Sequence, residues 1–198
     1  MATKTRTQMI AQIRVKLADS GTVEYTDARL GSELDDALIE IAYYRPYETV
    51  KEITSDGTLI IDISSLTPTG FTVSLVRVDA VEYPENQPRN FNVIGDSLYL
   101  IMESAPTSGD TIYLHCDWAH FVDDTKSTLT PDLERLLCQL VAANAAISLA
   151  QSKTNKANLA GLGLWRSLST WGEARRAEVY SELGATRKIR ETATHPRS

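Results

Sequence analysis

Six residues in the middle of the chain are of types that could bind a metal ion or move protons. Zinc ligands must converge on one point at characteristic spacings, and the order H-C-D-x-x-H matches no known zinc pattern. Successive side chains of a strand also point to opposite faces, which separates the first histidine from the cysteine. The segment is therefore predicted to be the end of a strand followed by an acidic loop, with no metal bound. The six residues are His115, Cys116, Asp117, His120, Asp123 and Asp124.

Signatures of catalysis are missing from the rest of the sequence. The chain contains no G-x-S-x-G motif and no Walker loop, and the glycines of "LAGLGLW" do not follow a strand. Glu33, Asp35 and Asp36 could be considered as paired carboxylates, but they lie on the polar side of a predicted helix, which is typical of a solvated face. We therefore expect no enzyme, no catalytic residue and no cofactor.

Two helices are predicted to open the chain. The first runs from about Thr5 to Ala18. Thr26 is a predicted N-cap of the second helix, and Pro46 should end it near Tyr44 because the residue before a proline avoids the helical conformation. The apolar stripe of the second helix consists of Leu30, Leu34, Ala37, Leu38 and Ile41.

Strand patterns follow from about residue 48 onward. "TVKEIT" and "TLIIDIS" flank "SDG", which predicts a hairpin with Gly57 in the turn. "TVSLVRVDAVEY" predicts a longer strand with a bulge, "FNVIGDSLYLIM" a second hairpin around Gly95, and "DTIYLHCDW" the last strand. Short connections between five or six strands favour an antiparallel sheet.

Helical patterns return near residue 130. Thr130 as N-cap and Pro131 at the first helical position mark the start of the third helix, and its alanine-rich middle predicts close approach of another helix. A final helix is predicted to end at Gly184, followed by an arm without a fold of its own.

The predicted fold class is α+β, a helical bundle of two N-terminal and two C-terminal helices with an inserted small antiparallel β module. The predicted parts are an N-terminal helical hairpin at 1–47, the β module at 48–122, C-terminal helices completing the helical core at 128–184, and a C-terminal arm at 185–198.

Charge is unevenly distributed along the chain. The net charge is −6, with 13 basic and 22 acidic residues in 1–164 and 7 basic and 4 acidic residues in 165–198. An acidic body argues against general binding to the phosphate backbone of nucleic acids. No apolar run approaches the roughly 18 residues of a membrane helix, and the N-terminus lacks the apolar segment of a secretory signal. We expect synthesis in a cytoplasm, no membrane partner, and two buried cysteines, Cys116 and Cys138.

Several segments together resemble a family of head–tail connector (adaptor) proteins of tailed bacteriophages. The opening segment is "YTDARLGSELDDALIEIAYYRP", with an aromatic-Thr/Ser-Asp start, a leucine-rich helix and a closing arginine and proline. In the same order follow "VEYPENQPRNF", "GDSLYL", "HCDWAHFVDD", "STLTPDLERLLCQLVAANAAISLA" and "WGEARRAEVYSEL". The resemblance covers roughly residues 5–185. Asp35, where the family more often has asparagine, and Gly31 depart from the pattern.

The resemblance implies a structural protein of the virion neck with no catalytic site. Family members form a ring, usually of twelve copies, that docks beneath the portal, extends the DNA channel and joins head to tail. The expected partners are other copies of the chain, the portal protein, a stopper or tail component, and double-stranded DNA passing through the lumen without sequence recognition. Assembly would take place in the host cytoplasm.

Two sets of residues are the candidate sites under this hypothesis. The basic C-terminal arm is expected to bind the portal through Arg187, Lys188, Arg190 and Arg197. Ring packing is expected to involve the small residues of the third helix and two tryptophans, namely Ala142, Ala143, Ala146, Ala150, Trp165 and Trp171.

Three other functions remain open at the level of sequence. The chain could be a stopper or tail-completion protein lower in the neck, or a non-viral α+β module that binds a protein or small ligand. A DNA-binding regulator would require Arg166, Arg175 and Arg176 to face a groove of the duplex. Oligomeric state and salt-dependent DNA binding separate these alternatives.

Overall fold

The described part of the chain is an α+β protein. The computed structural model describes residues 4–19, 24–154 and 162–194, with side chains in 4–19, 24–154 and 163–184. Within these ranges it contains four helices and six strands. In chain order they are α1 (Arg6–Lys16), α2 (Asp27–Ala42), β1 (Tyr47–Thr54), β2 (Ile60–Asp62), β3 (Leu75–Glu82), β4 (Pro88–Ile94), β5 (Ser97–Ile101), β6 (Thr111–Trp118), α3 (Pro131–Thr154) and α4 (Leu162–Thr194).

Side-chain caps start the first two helices. The Thr5 hydroxyl accepts from the backbone N–H of Gln8, and the Gln8 side chain accepts from the backbone N–H of Thr5, which is a capping box. Thr26 caps α2 by accepting from the backbone N–H of Arg29. The predicted N-cap is confirmed, and the helix ends at Ala42, two residues before the predicted end.

Two compact units divide the chain. The described residues before Pro46 and after Ala119 form a helical unit, and Pro46–Ala119 form a sheet unit. The chain passes from the helical unit to the sheet unit at Pro46 and returns at His120, close to the predicted boundaries at residues 47 and 122. Each unit has its own cluster of buried apolar side chains.

Helix α3 is the centre of the helical unit and contacts α1, α2 and α4. Its start is as predicted, because the Thr130 hydroxyl accepts from the N–H of Leu133 and the Thr130 carbonyl from the N–H of Glu134. Among the described helices, α3 has the length and apolar composition of a membrane span. However, 78% of its apolar window is buried against the rest of the protein, so core packing accounts for that composition.

The six strands of the sheet unit pair in the order β1-β6-β3-β4-β5-β2, and every pair is antiparallel. The antiparallel prediction is therefore confirmed. The join between the two halves of the sheet is short, since β3 pairs with β4 only at Val81 and Glu82. The predicted bulge is also present, as the β3–β6 register shifts twice.

One predicted hairpin is correct and one is wrong. Strands β4 and β5 form the expected hairpin, with Gly95 in the left-handed region at φ +59°. Strands β1 and β2 do not pair, because β1 pairs along its whole length with β6 and β2 pairs with β5. Directly after β1, the N–H of Ser55 donates to the Asp110 carbonyl and the Ser55 carbonyl accepts from the N–H of Gly109, so the chain stays beside the β6 side of the sheet. Gly57, at φ +88°, therefore lies in a turn between β1 and β2, which follow each other in sequence but are not neighbours in the sheet.

Helix α4 is longer than predicted. It continues through Gly184 to Thr194, so residues 185–194 are helical and the predicted helix end at Gly184 is wrong. A glycine ends a helix when it adopts a left-handed conformation, and Gly184 does not. The residues after it include alanine, arginine, lysine and glutamate, which favour helix.

Candidate functional site

The possible metal ligands at the end of β6 point in different directions and have structural partners. His115 is half-exposed, with Nε2 3.0 Å from Glu82 Oε1, whereas Cys116 is buried in the sheet core. The predicted separation of these two side chains is confirmed. Burial raises the pKa of Cys116 to about 11, so the thiol stays protonated at neutral pH. Asp117 Oδ2 accepts from Arg77 Nε at 2.7 Å.

His120 is buried where the chain returns to the helical unit. Its Nε2 lies 2.6 Å from the carbonyl oxygen of Arg45, so Nε2 carries the proton and donates. Its Nδ1 lies 3.1 Å from the hydroxyl oxygen of Thr128. Burial lowers the pKa of His120 below its ordinary value, which keeps the ring neutral. The imidazole therefore joins the last residue before the sheet unit to the loop before α3.

The two loop aspartates also serve the local backbone. Asp123 Oδ1 accepts from the N–H groups of Thr125 and Lys126, each at 2.6 Å, and Asp124 Oδ1 accepts from the N–H of Thr7 at 3.0 Å, in the first turn of α1. These hydrogen bonds lower the pKa of both carboxyl groups. In the described ranges, no group of three histidine, cysteine or acidic side chains could hold a metal ion.

Gly31 and Asp35, the two residues that depart from the resembled sequence pattern, both accept hydrogen bonds from Arg6. Arg6 Nη1 and Nη2 bond to the carboxylate of Asp35 at 2.6 and 2.9 Å, and Nη2 also donates to the Gly31 carbonyl at 2.9 Å. A Cβ at Gly31 would lie 3.2 Å from Nη2. The bond to Asp35 is the main cause of a raised pKa of Arg6. Sequence reasoning did not identify Arg6, since its two contacts are 25 and 29 residues away.

The first exposed surface of interest is an outward-facing row on α2. Asp36 and Ile39 of α2 and its C-cap residue Tyr43 lie at helical spacing on the side opposite the buried stripe, and we call these three residues the α2 outer stripe. Ile39 is 47% exposed and Tyr43 is 63% exposed. An open cleft of about 630 Å³ lies beside them. Glu40 lines the same cleft and accepts a hydrogen bond from the Tyr180 hydroxyl, which ties α4 to α2.

The second exposed surface is a groove of about 340 Å³ between α1 and α4. Its floor is formed by Gln139 and Ala142 of α3, and its walls by Lys16 of α1 and by Trp171 and Arg175 of α4. We call it the α1–α4 groove. Two of its five residues are cationic and none is acidic, and the half-buried ring of Trp171 gives it an aromatic wall.

A third cavity lies within the sheet unit, where β3 and β4 separate. Its volume is about 670 Å³. One wall is the segment 63–67 after β2, another is residues 72–78 at the start of β3, and the third is the β4–β5 turn with Asp96. Hydroxyl groups are frequent along these walls, from Ser64, Ser65, Thr67, Thr72 and Ser74.

The alanines predicted to pack the ring lie inside a single copy of the chain. All four are at most 1% exposed, because they pack against the other helices of the same chain. Their part in ring packing stays a prediction. The predicted close approach of helices is present between α3 and α4. A Cβ placed on Gly172 would be 2.7 Å from Ile147 Cγ1 and 2.8 Å from the Ala143 carbonyl oxygen. The four residues are Ala142, Ala143, Ala146 and Ala150.

The two tryptophans of the same prediction remain partly accessible. Trp165 and Trp171 both pack at the edge of the helical core. The Lys153 ammonium lies 5.7 Å from the centre of the Trp165 ring, within reach of a cation–π interaction. Trp171 lines the α1–α4 groove.

The residues predicted to bind the portal lie at the C-terminal end of the chain. Arg187, Lys188 and Arg190 belong to the last turns of α4, so their backbone is helical. Arg197 lies outside the described residues.

Comparison with known proteins adds no family assignment. Neither the protein-family models nor the curated proteins searched give a match to this chain.

Proposed function

We propose that this chain is a head–tail adaptor protein of a tailed bacteriophage, which forms a ring under the portal, extends the DNA channel and joins head to tail. In this proposal the four helices are the bundle of the ring body and the sheet unit is an inserted module that contacts the next neck or tail component. The ring has twelve copies, as the resemblance implies.

The observation that carries the proposal is the match between the resembling segments and the places where the chain changes unit. The first segment spans α2 and ends at Arg45 and Pro46, where the chain enters the sheet unit. The segment "HCDWAHFVDD" spans the end of β6 and the return at His120. Arg45, where the chain leaves the helical unit, contacts the segment where the chain returns. Its carbonyl accepts a hydrogen bond from His120, and its guanidinium bonds to Asp132 in the first turn of α3 at 2.8 Å.

The partners of the polar residues also support a structural role. The histidines, cysteines and aspartates that first suggested chemistry are engaged in caps, ion pairs or core packing. The exposed features of the helical unit are instead apolar side chains and charged grooves, which suit contacts with other proteins.

The proposed role of the charge is to keep DNA mobile in the channel. An acidic lumen repels phosphates and so prevents DNA from adhering as it passes, and salt screens this repulsion. The balance of 13 basic and 22 acidic residues in 1–164 supplies that charge. A ring structure with a channel wall dominated by lysine and arginine would overturn this part of the proposal.

The proposed portal contact is the basic end of α4. A helical segment with Arg187, Lys188 and Arg190 fits an acidic groove on a partner. Truncation after Gly184 should abolish or strongly weaken portal binding, measured by co-sedimentation with the portal ring encoded in the same genome. Unchanged binding by a truncated protein with the same thermal unfolding temperature would refute the contact.

Oligomeric state is the direct test of the adaptor proposal. Native mass spectrometry over a concentration series, with and without the portal ring, should show a closed species near twelve copies, alone or on the portal. A monomer or dimer that persists at every concentration and ignores the portal would reject the adaptor proposal.

The sheet cavity favours one alternative, a non-viral module that binds a ligand or peptide. Its volume of about 670 Å³ is in the range of small-molecule sites, and its hydroxyl groups could position a polar ligand. This alternative requires no high-order ring, so the same mass-spectrometry experiment separates it from the adaptor.

A further inference from the structure

We propose that adjacent copies of this chain contact each other head to tail, with the α2 outer stripe of one copy seated in the α1–α4 groove of the next. The inference rests on the ring of the proposed function. The two surfaces themselves are identified from the fold of the helical unit.

The α2 outer stripe has the composition of a contact surface. Ile39 and Tyr43 expose large apolar areas one turn apart on the same face of α2. Asp36 precedes Ile39 by three residues and takes part in none of the ion pairs found among the described residues. A partner that covers the stripe must therefore offer both apolar surface and a cation.

The α1–α4 groove offers both. Lys16 and Arg175 supply positive charge, and the Trp171 ring and the aliphatic stems of the two basic side chains supply apolar surface. Arg175 pairs with Glu178 of the same helix at 2.7 Å, and the two side chains are 48% and 63% exposed. Such an exposed pair is weak, so Arg175 can exchange this partner for a carboxylate of a neighbouring copy.

The two surfaces lie on opposite sides of α3. Ser148 of α3 accepts a hydrogen bond from Arg29 of α2, which marks the α2 side. Gln139, in the floor of the groove, precedes Ser148 by nine residues, and nine residues are about two and a half helical turns. The groove therefore opens on the side of α3 that faces away from α2.

This arrangement favours a head-to-tail contact over a symmetric dimer. Surfaces on opposite sides of a subunit generate a chain of copies that closes into a ring when the rotation allows it. Pairing the stripe with itself would place two Asp36 carboxylates in one contact with no cation from either stripe, and pairing the groove with itself would place four cations in one contact. Both symmetric contacts are therefore repulsive, while the contact of stripe with groove joins opposite charges.

Cross-linking with engineered cysteines tests this contact. We would introduce Ser32→Cys and Ala174→Cys into one chain, at exposed positions beside the stripe and the groove, so that Asp36 and Arg175 keep their charges. The assembled protein would then be treated with a short bis-maleimide. The native cysteines, Cys116 and Cys138, are both buried and compete little for the reagent. On a denaturing gel the double variant should give a ladder of covalent multimers, each single variant should give only the chain without cross-links, and a mixture of the two single variants should stop at the covalent dimer.

Two outcomes would overturn the inference. Cross-linked dimers from either single variant would mean that the surface pairs with itself. A double variant that assembles yet gives no ladder would mean that the two surfaces do not meet. If instead the wild-type protein forms no multimer at any concentration, with or without the portal ring, the proposed function itself fails.

Charge reversal is the second, independent measurement. Asp36→Lys should weaken assembly at least tenfold in sedimentation velocity, and adding Lys16→Glu and Arg175→Glu to the same chain should restore it. Glu103→Lys makes the same charge change at an exposed position of the sheet unit and should leave assembly unchanged. Equal weakening by Glu103→Lys and Asp36→Lys, or no rescue by the triple variant, would contradict the contact.

Discussion

At the scale of single residues, a hydrogen bond joins His120 to Arg45, the residues at which the chain returns to the helical unit and leaves it. The His120 ring is buried and donates through Nε2 to the Arg45 carbonyl, so this hydrogen bond requires only the neutral imidazole. Protonation would place a charge in a site from which water is excluded, and this is the main reason that the pKa of His120 is lowered.

This lowered pKa makes stability depend on pH. In the unfolded chain the imidazole takes up a proton near its ordinary value of 6.5, while the folded protein takes it up only at lower pH. The stabilising effect of a neutral His120 is therefore fully present above pH 6.5 and is lost as pH falls through 6.5 toward the folded pKa. The slope due to this single proton is at most about 1.4 kcal/mol per pH unit.

Substitution of His120 by glutamine tests this linkage. Glutamine can donate to the Arg45 carbonyl but does not titrate, so the free energy of unfolding of His120→Gln should fall less steeply than that of the wild type as pH drops below 6.5. Urea denaturation at a series of pH values measures both slopes. Parallel curves for the two proteins would show that His120 does not contribute to the acid sensitivity.

The ion pair between Arg6 and Asp35 is a surface interaction of modest strength. The Asp35 side chain is 60% exposed, so solvent screens the pair in spite of its two short hydrogen bonds. Asp35→Asn should lower the free energy of unfolding by less than about 1 kcal/mol. The loss should shrink at high salt, because the charge is then already screened. Glu103→Gln, at an exposed position, is the control and should have no effect. A loss that does not change with salt would mean that the interaction is a hydrogen bond without an electrostatic part.

At the scale of elements, the contact of α3 with α4 is the tightest feature of the helical unit. Gly172 of α4 lies directly over the Ala143 carbonyl of α3, and the backbone there cannot withdraw from an added methyl group as a flexible side chain could. The alanines of α3 and this glycine together allow the two helices to approach closely.

Two glycine substitutions in the same helix separate packing from helix propensity. Gly172→Ala should lower the free energy of unfolding by about 2 kcal/mol, because overpacking at the α3–α4 contact outweighs the gain in propensity. Gly184→Ala has open space around the new methyl group and should stabilise α4 by up to about 1 kcal/mol. Thermal and urea denaturation measure both changes. A stabilised Gly172→Ala variant would show that α3 and α4 can separate at this point without cost.

At the scale of the whole molecule, net charge sets the interaction with nucleic acid. With a net charge of −6, the protein should not bind duplex DNA even at low salt, measured by fluorescence anisotropy of a labelled duplex. Binding that weakens steeply with salt would instead favour the DNA-binding alternative. Comparison with the chain truncated after Gly184 would then show whether the basic end of α4 is responsible.

Much of the fold is encoded in residues that are close to one another in sequence. Thr5, Thr26 and Thr130 cap helices by hydrogen bonds that reach only three residues ahead, and Gly95 forms a hairpin between adjacent strands. Such features are predictable because all the groups involved lie within one short window.

The pairing of β1 and β2 depends on segments that lie far apart. The "SDG" turn is compatible with a local hairpin, yet β1 aligns eight residues with β6 and β2 takes the free edge of β5. The residues of a turn do not determine whether a strand pairs over more residues with its sequence neighbour or with a strand far away in sequence.

The sequence alone determined the α+β class, most element positions, the separation of His115 from Cys116, and the absence of any recognisable catalytic motif. Only the tertiary structure decided that the alanines of α3 are buried by the helices around it, that Arg6 joins Gly31 to Asp35, and that Ile39 and Tyr43 remain exposed. The physical reason is that helical periodicity identifies an apolar face but not what covers it. Exposure is a property of the packed arrangement, in which α3 is surrounded by α1, α2 and α4 while the outer row of α2 and the groove beside α1 face solvent.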